Sequence, residues 1–102
     1  MVAIVGDVFK ALADETRRLI LDELYARDGQ SLFELCTALT ASHRISMSRQ
    51  AISQHLAILE DAALISTSRA GRTKLHHLNT EPLRLIRERW PLRAGDPIDS
   101  KE

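Results

Sequence analysis

The stretch Met47 to Leu59 constrains the fold more than any other part of the chain. Ile52, Leu56, Leu59 and Ala63 recur at helical spacing, which predicts an amphipathic helix with one face on a core. Arg49, Gln50, Ser53 and Gln54 fall off that stripe and gather near the amino-terminal end. Bidentate and short polar groups in the first turns of an exposed helix suit the base edges of a DNA major groove. Some ten residues further on, Arg69-Ala70-Gly71-Arg72-Thr73-Lys74 reads as a tight basic turn between two short apolar segments. A reading helix followed by a basic hairpin predicts a winged helix-turn-helix: mainly α with a small β-hairpin.

The remaining sequence fits this order. Val5, Val8, Phe9 and Leu12 give a first helix within Val2–Ala13. Asp14 is placed to cap a second helix, whose apolar face runs through Leu19, Ile20, Leu24 and Tyr25 and which stops before Gly29. Ser31 and Glu34 form a capping-box pattern for a third helix, with Leu32, Leu35, Cys36 and Leu39 on its inner face. Residues 40–46 read as a polar connector. Ser48 caps the fourth helix, with Met47 and Ile52 placed as a hydrophobic staple. Strands are expected over 64–69 and 72–78 around Ala70-Gly71. Thr80 and Pro82 open a last helix with Leu83, Ile86 and Trp90 on one stripe, ended by Pro91. Residues 1–91 form the expected domain, and the patternless 92–102 a polar, disordered tail.

A chain of 102 residues fits one small domain with a thin core, for which a second subunit is a natural extension. Aromatic residues make up 4%, too few for a platform that stacks single-stranded bases. The single cysteine, Cys36, excludes an internal disulfide or a paired-cysteine site. Its place on an apolar stripe suits a buried small hydrophobe better than a redox sensor. No leader or membrane-length apolar run is visible, so the expected location is the cytoplasm. The formal net charge is zero, but it is unevenly spread. Residues 1–42 hold four basic side chains against seven acidic ones, residues 43–77 hold five against two, and residues 78–102 balance. The excess of positive charge coincides with the predicted reading helix and wing, and local charge governs affinity for a polyanion.

Phe9-Lys10-Ala11-Leu12-Ala13-Asp14-Glu15-Thr16-Arg17-Arg18-Leu19-Ile20-Leu21 resembles the opening signature of the arsenical-resistance-repressor (ArsR/SmtB) family. Ser48 to Leu59 with Glu60-Asp61-Ala62-Ala63-Leu64-Ile65 resembles its recognition helix and exit into the wing, and Gly71-Arg72 with Leu75 to Leu78 resembles the wing itself. The resemblance covers roughly residues 7–90. It implies a dimeric transcriptional repressor that binds a palindromic operator, with the first and last helices building the dimer interface. The connector at 40–46 is longer than the family's short turn. It reads either as an extra turn of helix or as a loop touching the DNA backbone through His43, Arg44 and Ser46. Metal-sensing members carry two close cysteines in the third helix, of which Cys36 alone is present. Others place Asp and His ligands on the last helix, where residues 81–90 offer only Glu81 and Glu88. No metal site or cofactor is therefore carried over, and an effector stays unidentified.

The candidate DNA contacts fall in two groups. On the reading helix, Gln50 and Gln54 suit adenine edges, Arg49 suits guanine or phosphate, Ser48 both caps and donates to phosphate, and Ser53 lies between them. His55, one residue before Leu56, reads equally as a phosphate contact or as a packing histidine. On the wing, Arg69, Arg72, Thr73 and Lys74 suit the backbone or minor groove, against the plainer reading of charges that guard a strand edge. Arg17 and Arg18 are explained by helix ion pairs with Asp14 and Asp22. His76 and His77, adjacent on a strand, face opposite ways and cannot both chelate. There is no Gly-rich phosphate loop or nucleophile elbow, so no enzyme is expected. The rival reading is a winged-helix protein-interaction module that has lost specific DNA binding, favoured by the neutral total charge.

Overall fold

A computed structural model describes residues 5–97. Five helices and one hairpin follow in order: α1 (Val5–Leu12), α2 (Glu15–Ala26), α3 (Leu32–His43), α4 (Arg49–Asp61), β1 (Ile65–Ala70), β2 (Thr73–Leu78) and α5 (Glu81–Arg89). The expected element order holds throughout. The first residues assigned by sequence to the opening helix, 2–4, lie outside the described residues, as does the end of the tail.

Side-chain caps set the helix starts. Asp14 Oδ2 accepts the Arg17 N–H at 3.0 Å, Ser31 and Glu34 bond reciprocally to each other's backbone N–H at 3.2 and 2.9 Å, and Ser48 Oγ accepts from Ala51 N–H at 3.1 Å. Each cap satisfies an N–H that has no partner inside the helix. The helices bury Val8 and Ala11 from α1, Ile20 and Leu24 from α2, Leu35 and Leu39 from α3, and Ile52, Leu56 and Leu59 from α4. Leu64 and Ile65 close this core from the wing side. Each buried Val, Leu or Ile side chain contributes about 1.5–3 kcal/mol.

Three sequence expectations are corrected, and one left open is decided. Tyr25 is 82% exposed and does not extend the inner face of α2. The connector at 40–46 takes the first of its two readings, an extra turn of helix: α3 runs on to His43 and Arg44 closes it in the left-handed conformation (φ 56°). The hairpin loop is Gly71-Arg72, one residue later than expected, with Ala70 paired to Thr73. Gly71 takes a φ of +64° while Arg72 keeps a negative one, the pattern of a two-residue type II′ turn that matches strand twist. Finally, Arg17 and Arg18 do not pair with Asp14 and Asp22 through their guanidinium groups. Arg18 Nη1 donates to the Leu12 carbonyl at 2.7 Å, and Arg17 donates to the Ala11 and Lys10 carbonyls at 2.8 and 3.2 Å. These cations close the carboxyl end of α1, where its dipole favours positive charge.

The turn between α2 and α3 serves as a short third strand. Gln30 bridges His76 on β2, with His76 N–H donating to the Gln30 carbonyl at 2.8 Å and Gln30 N–H returning to His76 at 3.2 Å. The His76 ring is 5% exposed, and its Nδ1 bonds the same Gln30 carbonyl at 2.9 Å. Gln30, itself buried, turns its amide onto the Glu23 and Arg27 carbonyls at 3.2 and 2.7 Å. One residue thus ends α2 and holds the wing. Gly29 (φ +74°) precedes it where a Cβ would meet the His77 ring at 3.4 Å.

Candidate nucleic-acid interface

Ser48 ends the α3–α4 turn in an extended conformation and starts α4 at Arg49. Because Ile52, Leu56 and Leu59 are buried, the helical repeat turns Arg49, Gln50, Ser53 and Gln54 outward, and all four are exposed together with Ser48. The first turn of α4 carries no acidic residue, so its free N–H groups and dipole present an undiminished positive end. The Arg49 guanidinium lies over the Phe33 ring of α3, 5.7 Å from its centroid. A groove of about 450 Å³ runs from the start of α3 past Arg49 and Ser53 to Thr73 and Lys74 on β2. The start of α4 and the wing therefore line one continuous surface.

At the wing tip, Arg69 stands directly opposite Lys74, and Arg72 occupies the loop between them. Among the described residues none of the three forms an ion pair. Like charges placed opposite each other destabilise a hairpin, so the tip is built at a cost in hairpin stability. Arg69 Nη1 bonds the Arg72 carbonyl at 3.3 Å, which holds the loop closed without neutralising either cation.

The structure does not bring His55 to this face. Its Nδ1 lies 3.1 Å from Arg17 Nη1 and 3.9 Å from Asp14 Oδ2. A guanidinium only donates, so Nδ1 accepts and carries no proton in this bond. Arg17 thereby links the end of α1 to the middle of α4. His43 likewise turns inward, to Glu23 Oε2 at 3.1 Å, and does not face outward from the connector. His76 and His77 take opposite faces as expected. His77 Nδ1 meets Asp28 Oδ2 at 3.1 Å and its Nε2 meets Ser68 Oγ at 2.7 Å. Asp28 Oδ1 accepts the Leu78 N–H at 2.7 Å. This backbone bond, with the His77 hydrogen bond and charge, holds the Asp28 carboxyl below its usual range.

Phe33, Gln30, Asp28 and the bridging role of Arg17 escape sequence reasoning. Phe33 falls outside the apolar stripe of its helix and gives no periodic signal. The partners of the other three lie in distant segments. No group of three or more His, Cys, Asp or Glu among the described residues could hold a metal ion, and no helix among them is long and apolar enough to cross a membrane.

A four-helix core, a capped polar-faced helix and a basic two-stranded wing define a winged helix-turn-helix transcriptional regulator. No family model matches the chain. It is 46% identical over 83 residues to the HTH-type transcriptional regulator YuzN of Bacillus subtilis, covering 81% of this chain and 90% of that protein. It is 39% identical over 79 residues to the transcriptional repressor SdpR of the same organism, covering 78% and 80%. The structure of an ArsR-like transcriptional regulator from Rhodococcus sp. RHA1 superposes with a TM-score of 0.71 at 35% identity, covering 83% of this chain and 72% of that one. The chain belongs to the ArsR-type family of helix-turn-helix transcriptional regulators, and it is a DNA-binding regulator rather than an enzyme.

Proposed function

We propose that the protein is a repressor that binds a palindromic operator as a homodimer in the cytoplasm. α4 enters the major groove, where Gln50, Gln54 and Arg49 read base edges while Ser48 and Ser53 bond phosphate. Arg69, Arg72, Thr73 and Lys74 grip the adjacent backbone or minor groove. The observation that carries this reading is the exposed, acid-free start of α4 beside a wing tip of three cations that form no ion pair among the described residues. The dimer reading rests on the terminal helices. There α1 packs on α5, and Phe9 and Trp90 lie with ring centroids 6.1 Å apart, 37% and 61% exposed. A two-fold axis through such a pair presents two reading helices to two half-sites.

Selection of genomic DNA fragments by the purified protein, at two salt concentrations with and without chelator, tests the reading. Enrichment of a short inverted repeat that survives chelator supports a sequence-specific, metal-independent dimer. Weak, unselective retention at low salt alone refutes it in favour of a protein-interaction module.

A further inference from the structure

Phe33 is a large apolar side chain left 63% exposed at the second position of α3. The core does not need it: the inner face of α3 is supplied by Leu35 and Leu39. Its distinctive contact is the Arg49 guanidinium, 5.7 Å from the ring centroid, within the range at which an aromatic face attracts a cation. Phe33 and Arg49 also line two surface grooves in common, one running to the wing and one along α3 past Thr37 and Thr40. The pair is the ridge between them, at the point where α4 begins.

We propose that Phe33 is a positioning residue for DNA reading, its ring holding the Arg49 guanidinium over the start of α4 in the orientation the duplex requires. The inference rests on the docking proposed above, in which Arg49 meets the duplex. The chemistry favours a ring over a carboxylate in this role. A carboxylate would occupy two of the five guanidinium N–H donors and cancel the charge. An aromatic face restrains the group from one side, leaves every donor free and keeps the charge whole. A long side chain that is ordered before binding loses less freedom on binding. Arg49 takes part in no ion pair among the described residues, so the ring is not duplicating a restraint supplied elsewhere.

The test is a double-mutant cycle on the full chain, with the inverted-repeat duplex recovered from genomic selection and a scrambled duplex as comparison. Phe33→Leu removes the ring face and keeps an apolar side chain; Phe33→Tyr keeps the ring. An exposed cation–π contact predicts roughly two- to fivefold weaker binding per half-site for Phe33→Leu, hence about five- to twenty-fivefold for a dimer. Phe33→Tyr retains the parent affinity, and in an Arg49→Ala background Phe33→Leu has no further effect. Thermal melting of each variant separates binding loss from unfolding. A Phe33→Leu loss that persists undiminished without Arg49 overturns the proposal, because the ring then touches DNA itself or acts on the fold. Unchanged affinity in Phe33→Leu overturns it as well. If Arg49→Ala alone binds the inverted repeat at full strength, the docking of Arg49 is wrong and the positioning role falls with it.

Discussion

Ala63 sits at φ +61°, a conformation that a side chain with a Cβ enters only at a cost, and Ala63→Gly should stabilise the protein. The backbone shows why the strain is tolerated. α4 ends in a paired turn in which Leu64 N–H donates to the Leu59 carbonyl and Ala63 N–H to the Glu60 carbonyl, each at 2.9 Å. That motif needs a left-handed residue between helix and strand, most often glycine. Relief of the left-handed strain contributes about 1–2 kcal/mol. Against it stand about 0.4–1 kcal/mol for the freer unfolded chain of a glycine variant and about 0.3 kcal/mol for part of a half-buried methyl. The net gain is about 0.5 kcal/mol, or about 2–4 °C in Tm for a domain of this size. Ala63→Val should lie on the other side of the parent, since a β-branched residue is least tolerant of positive φ. Scanning calorimetry at one fixed protein concentration, needed because subunit association shifts Tm, reads the order glycine, alanine, valine. A glycine variant that melts below the parent, or a valine variant that melts above it, would refute the reasoning.

Gln30→Ala removes the amide that closes the Glu23 and Arg27 carbonyls beside the core; unfolding in urea should show a loss of about 2–3 kcal/mol. Asp14 and Asp28 both titrate below their ordinary value, chiefly because each accepts a backbone N–H, from Arg17 and Leu78 respectively. A carboxyl lowered in the folded state stabilises fully above its unfolded pKa and loses that contribution as pH falls through the folded one. Stability should therefore drop from about pH 5 downward, and Asp28→Asn should flatten that drop in acid titrations followed by circular dichroism. Gln54→Ala should weaken the preferred operator by about 1–3 kcal/mol and relax its sequence preference. Arg72→Ala should weaken all duplexes alike and reduce the slope of log affinity against log salt by roughly one; selective loss at one sequence would place Arg72 on a base instead.

What the sequence made legible follows from the range of each signal. Ser48, Ser31 and Asp14 act within three residues of the N–H groups they bond, so the helix starts could be placed to the residue. The inner stripe of α4 and the polar face opposite it came from the same short period. The Arg17 guanidinium is not legible locally because its partners, the end of α1 and His55, lie six and thirty-eight residues away, while Asp14 is a nearer and plausible one. His55 itself sits at the margin of the buried stripe, where periodicity is ambiguous by one position. The loop at Gly71-Arg72 slipped by one residue because Ala70-Gly71 and Gly71-Arg72 both accommodate a glycine turn, and only the pairing with Thr73 decides between them. The extension of α3 to His43 had no capping glycine to announce its end; Arg44 adopts the left-handed role without the usual residue type.

The bridge from Gln30 to His76 has a consequence for how this molecule meets other chains. Two outward backbone N–H groups of β2 are taken up, by Gln30 at His76 and by Asp28 at Leu78, so the base of the hairpin is sealed on that side. β1 is left as the open margin of the small sheet among the described residues, running from buried Ile65 to exposed Arg69. A strand that added itself to this sheet would have to approach β1, and would meet the Arg69 charge as it did so. Arg69 thus guards that margin of the ribbon, since a strand pairing there would strip water from its charge.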